Sequence, residues 1–195
     1  MKKLLKFLLA ATIALSLSAL NSCSTAKAVA DSGSTAGDKA DMSSYTTYDE
    51  SEDYVFVKSD IKDMKRRADN KETFVIYFGF SRCPWCRDLM PVLNQAARKT
   101  GNKTVYYADT RANKDWKSNI DMDDYELLVD MAFDYLPYDE NNIKHLDAPT
   151  VYFVKNGKIQ EAVFAPEYDA PKETIPDDLR EKLMADLTRA FKALR

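Results

Sequence analysis

Apolar residues in this chain form short runs and helical stripes that alternate along most of its length. Tyr54-Val55-Phe56-Val57 reads as a short strand. Ser59 is placed to cap a helix reaching about Ala68, with Ile61 and Met64 on one side and Asp69-Asn70 at its end. Thr73 to Phe78 holds the continuous apolar run Phe74-Val75-Ile76-Tyr77-Phe78, the form of a strand covered on both faces. A helical pattern follows from Asp88 to Arg98. Its inner stripe is Leu89, Val92, Leu93, Ala96 and Ala97. Pro91 falls inside this helix and should kink it, and Gly101-Asn102 stops it. Thr104 to Ala108 is the next strand.

Arg111 to Asp121 reads as loop. Met122, Tyr125, Leu128, Val129, Ala132, Phe133 and Leu136 then recur at helical spacing among Asp123, Asp124, Asp130 and Asp134. This predicts an acidic amphipathic helix ended by Pro137, its carboxylates forming a solvated face. Pro149 to Val154 and Lys158 to Phe164 are strands around Asn156-Gly157, a strong hairpin signal. Asp177 or Asp178 should cap a last helix, with Glu181 completing a capping box after Asp178. Leu179, Leu183, Leu187, Phe191 and Leu194 are its buried stripe. The order βαβαβ, helix, ββ, helix is that of an α/β fold with a central mixed sheet.

The amino terminus stands outside this pattern. Lys2, Lys3 and Lys6 precede an apolar stretch, Phe7 to Leu20, shorter than the roughly 20 residues of a spanning helix. That is the form of a secretory signal. It ends in Leu20-Asn21-Ser22-Cys23, which resembles the lipobox of bacterial lipoproteins. The resemblance implies cleavage before Cys23 and lipidation of Cys23; an ordinary signal peptide followed by a free cysteine is the alternative. Ser24 to about Glu52 is rich in Ser, Thr, Ala, Gly, Asp and Lys and reads as a flexible tether. The expected organisation is a signal over 1–22, a lipidated cysteine and linker over 23–52, and one domain over 53–195. Losing Lys2, Lys3 and Lys6, and no acid, takes the formal charge from −3 to −6. No basic patch then points to nucleic acid.

The candidate chemistry lies in Phe80-Ser81-Arg82-Cys83-Pro84-Trp85-Cys86-Arg87, between an apolar strand and a helix. Cys83 would sit at the helix N-terminus, where backbone N–H groups and the helix dipole favour a thiolate. Pro84 suits the first helical position. Cys86 shares the helix face, within reach of a disulfide. Arg82 and Arg87 add positive charge, if they are more than solvated surface arginines. Other uses of the pair are weaker. A structural zinc site needs four ligands, and the chain offers only Cys23, Cys83, Cys86 and His145. Haem attachment needs histidine where Arg87 stands. A structural disulfide closing so short a loop constrains the unfolded chain little. Asp121-x-Asp123-x-Tyr125 lacks the third oxygen ligand and the glycine of an EF-hand loop. No metal is expected.

Cys83-Pro84-Trp85-Cys86 after an apolar strand, Pro91 in the helix beyond, and Ala148-Pro149-Thr150 leading into a strand and Asn156-Gly157 turn together resemble the thioredoxin superfamily. The resemblance runs from about Ser51 to Arg195. It implies a three-layer fold with a helical insertion over about 111–147, before a cis-proline strand. It implies that Cys83 attacks a substrate disulfide and Cys86 resolves the intermediate, with no cofactor beyond this pair. It also implies a cis Pro149 beside the cysteines, an Ala148 backbone that pairs with extended substrate, and an exposed Trp85 contact (a ring folded onto the surface being the alternative). The chain departs from the family where a buried aspartate and a strand lysine would stand, since Tyr77 and Tyr107 occupy those places. Tyr77 to Cys86 further resembles exported thioredoxin-like lipoproteins of Gram-positive bacteria, including bacteriocin transport accessory proteins. That narrower likeness implies an oxidoreductase lipid-anchored on the outer face of the cell membrane, acting on exported proteins or peptides with a redox partner protein. The alternative is an accessory binding module of an export system, through residues 111–147. His145 is either a proton donor near the sulfurs or a loop histidine.

Overall fold

The structure, a computed structural model, describes residues 37–111 and 120–195. The signal segment, Cys23, the tether up to residue 36 and residues 112–119 of the expected loop lie outside the described residues.

Five strands form one mixed sheet in the order β1-β3-β2-β4-β5. β1 is Phe56–Lys58, β2 is Phe74–Gly79, β3 is Val105–Asp109, β4 is Thr150–Lys155 and β5 is Lys158–Phe164. β1 and β2 each run parallel to β3, while β4 runs antiparallel to β2 and β5 antiparallel to β4. The continuous apolar run places β2 at the centre, buried along its whole length. Side chains alternate across a strand. Ile76 and Phe78 pack on one face with Ile61 and Met64 of α1 (Ile61–Asp69) and Leu128 and Ala132 of α3 (Met122–Ala132). Val75 and Tyr77 pack on the other with Leu89 and Leu93 of α2 (Pro84–Lys99) and Leu187 and Phe191 of α4 (Asp177–Ala193). The result is the expected three-layer, thioredoxin-like fold. α3 and a 3-10 turn, Phe133–Tyr135, form the insertion between β3 and β4, and the Ala148–Pro149 bond ahead of β4 is cis.

Three local expectations change. α1 is capped by Asp60, whose carboxylate accepts the Asp63 N–H, while Ser59 donates its hydroxyl to the Asp63 carboxylate at 3.0 Å. α4 starts after Pro176 with no side-chain cap, so neither Asp177 nor Asp178 closes a capping box.

The third change is larger. The fold begins before residue 53. Lys39 bridges to Val57 beside β1, and Met42 and Tyr45 are each only 2% exposed in the core. Pro91 explains part of this docking. It has no N–H, so the Arg87 carbonyl one turn earlier loses its helical partner. The Thr47 hydroxyl donates to that carbonyl at 2.7 Å. Helix α2 runs unbroken across Pro91.

Candidate functional site

The site grows from the junction of β2 and α2. After Gly79 the chain turns, with the Cys83 N–H donating to the Phe80 carbonyl. Cys83 is the N-cap of α2 and Pro84 its first residue. The Cys83 sulfur accepts the Cys86 backbone N–H at 3.2 Å, the capping bond a serine hydroxyl would make elsewhere. The two cysteines are unbonded. Cys86, one turn on, has no exposed surface, while Cys83 is 4% exposed and lines a cleft of about 600 Å³.

The two sulfurs differ in electrostatics. The Cys86 thiol and the backbone N–H groups of Cys86 and Trp85 hydrogen-bond Cys83, and with the charge of Arg111 they outweigh its burial and lower its pKa. Burial pushes Cys86 well up, and the neighbouring Cys83 sulfur adds to that rise. The surroundings thus favour the thiolate form at Cys83 and the thiol form at Cys86.

The cis Pro149 stands where the resemblance places it. The Ala148 carbonyl lies 3.5 Å from the Cys83 sulfur. Ala148 and Trp85 form walls of the main cleft and of a second one on the other side, about 480 Å³, which Pro149, Phe164 and Tyr168 also line. Trp85 is half-buried: it packs against the core and still borders both clefts. The insertion closes the main cleft with Ile120, Met122 and Tyr125. His145 also lines it, with Nε2 2.7 Å from the Asp147 carboxylate.

The arginines part company. Arg82 stays near the site and donates to the Arg111 carbonyl at 3.3 Å. Arg87 turns to the buried Asp88, with Nε at 2.6 Å and Nη2 at 2.8 Å from its two oxygens, and also donates to the carbonyls of Ala170 and Glu173. Its charge is met chiefly by Asp88, so it clamps the loop before α4. Arg111, whose guanidinium lies 5.3 Å from the centre of the Phe80 ring, supplies positive charge to Cys83 instead. Nothing in the local sequence marks Arg111, because it reaches Cys83 through the side-by-side packing of β2 and β3.

Behind the cysteines lies a group of tyrosines. Tyr77 and Tyr107 face each other across β2 and β3, and Tyr45 from the docked segment joins them. The Tyr45 hydroxyl is 3.2 Å from that of Tyr77 and 3.1 Å from that of Tyr107. Sequence reading placed Tyr77 and Tyr107 but missed Tyr45. Among the described residues, no group of three or more His, Cys, Asp or Glu side chains is placed to hold a metal ion. None of the described helices is long and apolar enough to cross a membrane.

The chain matches no protein-family model and no curated protein. Among solved structures it is similar to oxidised thioredoxin O2 of Arabidopsis thaliana, with 18% identity, 69% of this chain and 96% of that one covered, and a TM-score of 0.36. Oxidised thioredoxin O1 of the same plant gives 19% identity, coverage of 66% and 97%, and a TM-score of 0.35. Oxidised thioredoxin of Plasmodium falciparum gives 16%, coverage of 65% and 94%, and 0.34.

Proposed function

We propose that the chain is a thiol–disulfide oxidoreductase, exported and held at the outer face of a bacterial membrane by a lipid on Cys23. The observation that carries the reaction is the placement of the two thiols. The Cys83 sulfur caps α2 on a cleft wall, accepts the Cys86 N–H at 3.2 Å and lies 3.5 Å from the Ala148 carbonyl, while Cys86 is wholly buried one turn on. These surroundings lower the first pKa and raise the second. A thiolate is the attacking species in disulfide exchange. Cys83 would attack a substrate disulfide from the cleft wall, forming a mixed disulfide and releasing one substrate thiolate. Cys86 would then attack Cys83, closing the internal disulfide and releasing the second. Extended substrate would lie along Ala148, against Trp85. Stabilising the Cys83 thiolate favours the reduced pair, which suits an oxidant or isomerase. The lipid anchor and the export rest on the sequence of residues 2–23.

A second reading draws on the insertion, where Met122, Phe133, Tyr138 and Ile143 are exposed. Exposed apolar side chains suit a partner protein, and here the chain would serve as an accessory binding module with incidental redox activity. One comparison separates the two. Wild type and Cys83→Ser are assayed for reduction and oxidation of a model disulfide protein, and for function in cells. The oxidoreductase reading expects Cys83→Ser to lose both activities, and equal activity would end it. Cellular function that survives Cys83→Ser but fails without the exposed insertion residues supports the accessory reading.

A further inference from the structure

Cys86 has no exposed surface, yet a resolving thiol must lose its proton before it attacks. The titratable groups around it come from four places: Cys83 on its own helix, Tyr77 on β2, Tyr107 on β3 and Tyr45 from the docked segment. Tyr77 is buried in the same core cluster as Cys86, and its hydroxyl works against the burial that raises the Cys86 pKa. The Tyr45 hydroxyl bridges those of Tyr77 and Tyr107. Tyr107 and Asp109 stand two apart on β3, on one face of the strand, each acting on the other's pKa, and the Tyr107 hydroxyl donates to the Gly79 carbonyl at 3.4 Å. Asp109 is exposed, accepts the Arg111 N–H at 2.9 Å, and feels the charge of Arg82.

We propose that the hydroxyls of Tyr77, Tyr45 and Tyr107 form a proton relay that carries the Cys86 proton to the Asp109 carboxylate as the Cys83–Cys86 disulfide closes. The inference deepens the oxidoreductase reading and rests on it. The three hydroxyls hold no charge themselves, since burial raises the pKa of each and keeps it protonated. Each therefore takes a proton on one side as it gives one on the other. Partial desolvation at the strand end raises the Asp109 pKa, which makes its carboxylate a better acceptor, while the residue as a whole stays open to water and can return the proton there.

The step balances. Cys86 gives its proton to Tyr77, Tyr77 to Tyr45, Tyr45 to Tyr107 and Tyr107 to Asp109. The Cys86 thiolate forms a bond to the Cys83 sulfur, the bond from Cys83 to the substrate sulfur breaks, and the substrate leaves as a thiolate with that electron pair. The substrate disulfide is the only oxidant consumed. Gly79 keeps the path open, because a Cβ there would overlap the Tyr77 hydroxyl.

The test uses the reduced full chain and the aryl disulfide dithiobis(nitrobenzoate) in stopped flow. The first thionitrobenzoate reports attack by Cys83, and the second reports closure by Cys86. Tyr45→Phe removes one hydroxyl from the relay, and Asp109→Asn removes the acceptor at an exposed position where folding is spared. In each, the ratio of the second rate to the first should fall about tenfold or more at neutral pH, and the alkaline rise of closure should move to higher pH. Wild-type ratios and pH profiles in both variants would overturn the relay and leave the oxidoreductase reading standing. Absence of any release from the wild type would overturn both.

Discussion

At the scale of single residues, Asp88 shows how a buried charge ties distant parts of the chain. It is 3% exposed and accepts from Arg87, from the Tyr168 hydroxyl at 2.8 Å and from the Ile175 N–H at 3.0 Å. Burial alone would raise its pKa, but the bonds from Arg87 and Tyr168 outweigh that and hold it below its ordinary value of 3.8. Its stabilising contribution is therefore complete above the unfolded-state pKa and is lost as pH falls through the lower folded-state pKa. Asp88→Asn should cost about 1.5–3 kcal/mol at neutral pH, typical of hydrogen bonds to a charged group. Urea unfolding at a series of pH values should show the gap from wild type narrowing below about pH 4. A gap that persists unchanged into acid would mean that the carboxylate charge is not the source. Arg87 could not be assigned this role from the sequence. Neighbours one apart on a helix rarely face each other, and its other partners lie 83 and 86 residues away.

At the scale of elements, the legible parts are those whose chemistry is local. Cys83-Pro84 announces a helix start, and Asn156-Gly157 announces a turn. Both turn residues take positive φ, 52° and 76°, as a tight hairpin of this kind requires. Gly157 is also pressed against Ala68 at the end of α1, where a Cβ would overlap the Ala68 carbonyl oxygen. Gly157→Ala should thus destabilise the domain by more than about 1 kcal/mol, read as a lowered urea midpoint. Unchanged stability would contradict the close packing of hairpin and helix. The docked segment was not legible for the opposite reason. Met42, Tyr45 and Thr47 are scattered among Ser, Asp and Gly residues with no period, so no pattern announces an element. What holds them is tertiary: a carbonyl that Pro91 leaves without a helical donor, and two tyrosine hydroxyls on other strands.

At the scale of the whole molecule, the mixed sheet brings four separate stretches to one end of α2. β2 delivers the cysteines, β3 delivers Arg111, the connection before β4 delivers Ala148 and Pro149, and the insertion walls the cleft. The order of elements along the chain followed from the hydrophobic pattern and the three layers from the resemblance that the cysteine and proline motifs carry, while the identity of the charges around Cys83 depended on which loops the sheet sets side by side. The central claim is that this arrangement stabilises a Cys83 thiolate and makes the pair exchangeable. The most direct measurement is the reduction potential of the Cys83–Cys86 couple, titrated against glutathione or dithiothreitol buffers. The account predicts one two-electron transition in the range of catalytic pairs, about −270 to −120 mV. A value below about −300 mV, where structural disulfides resist reduction, would contradict it.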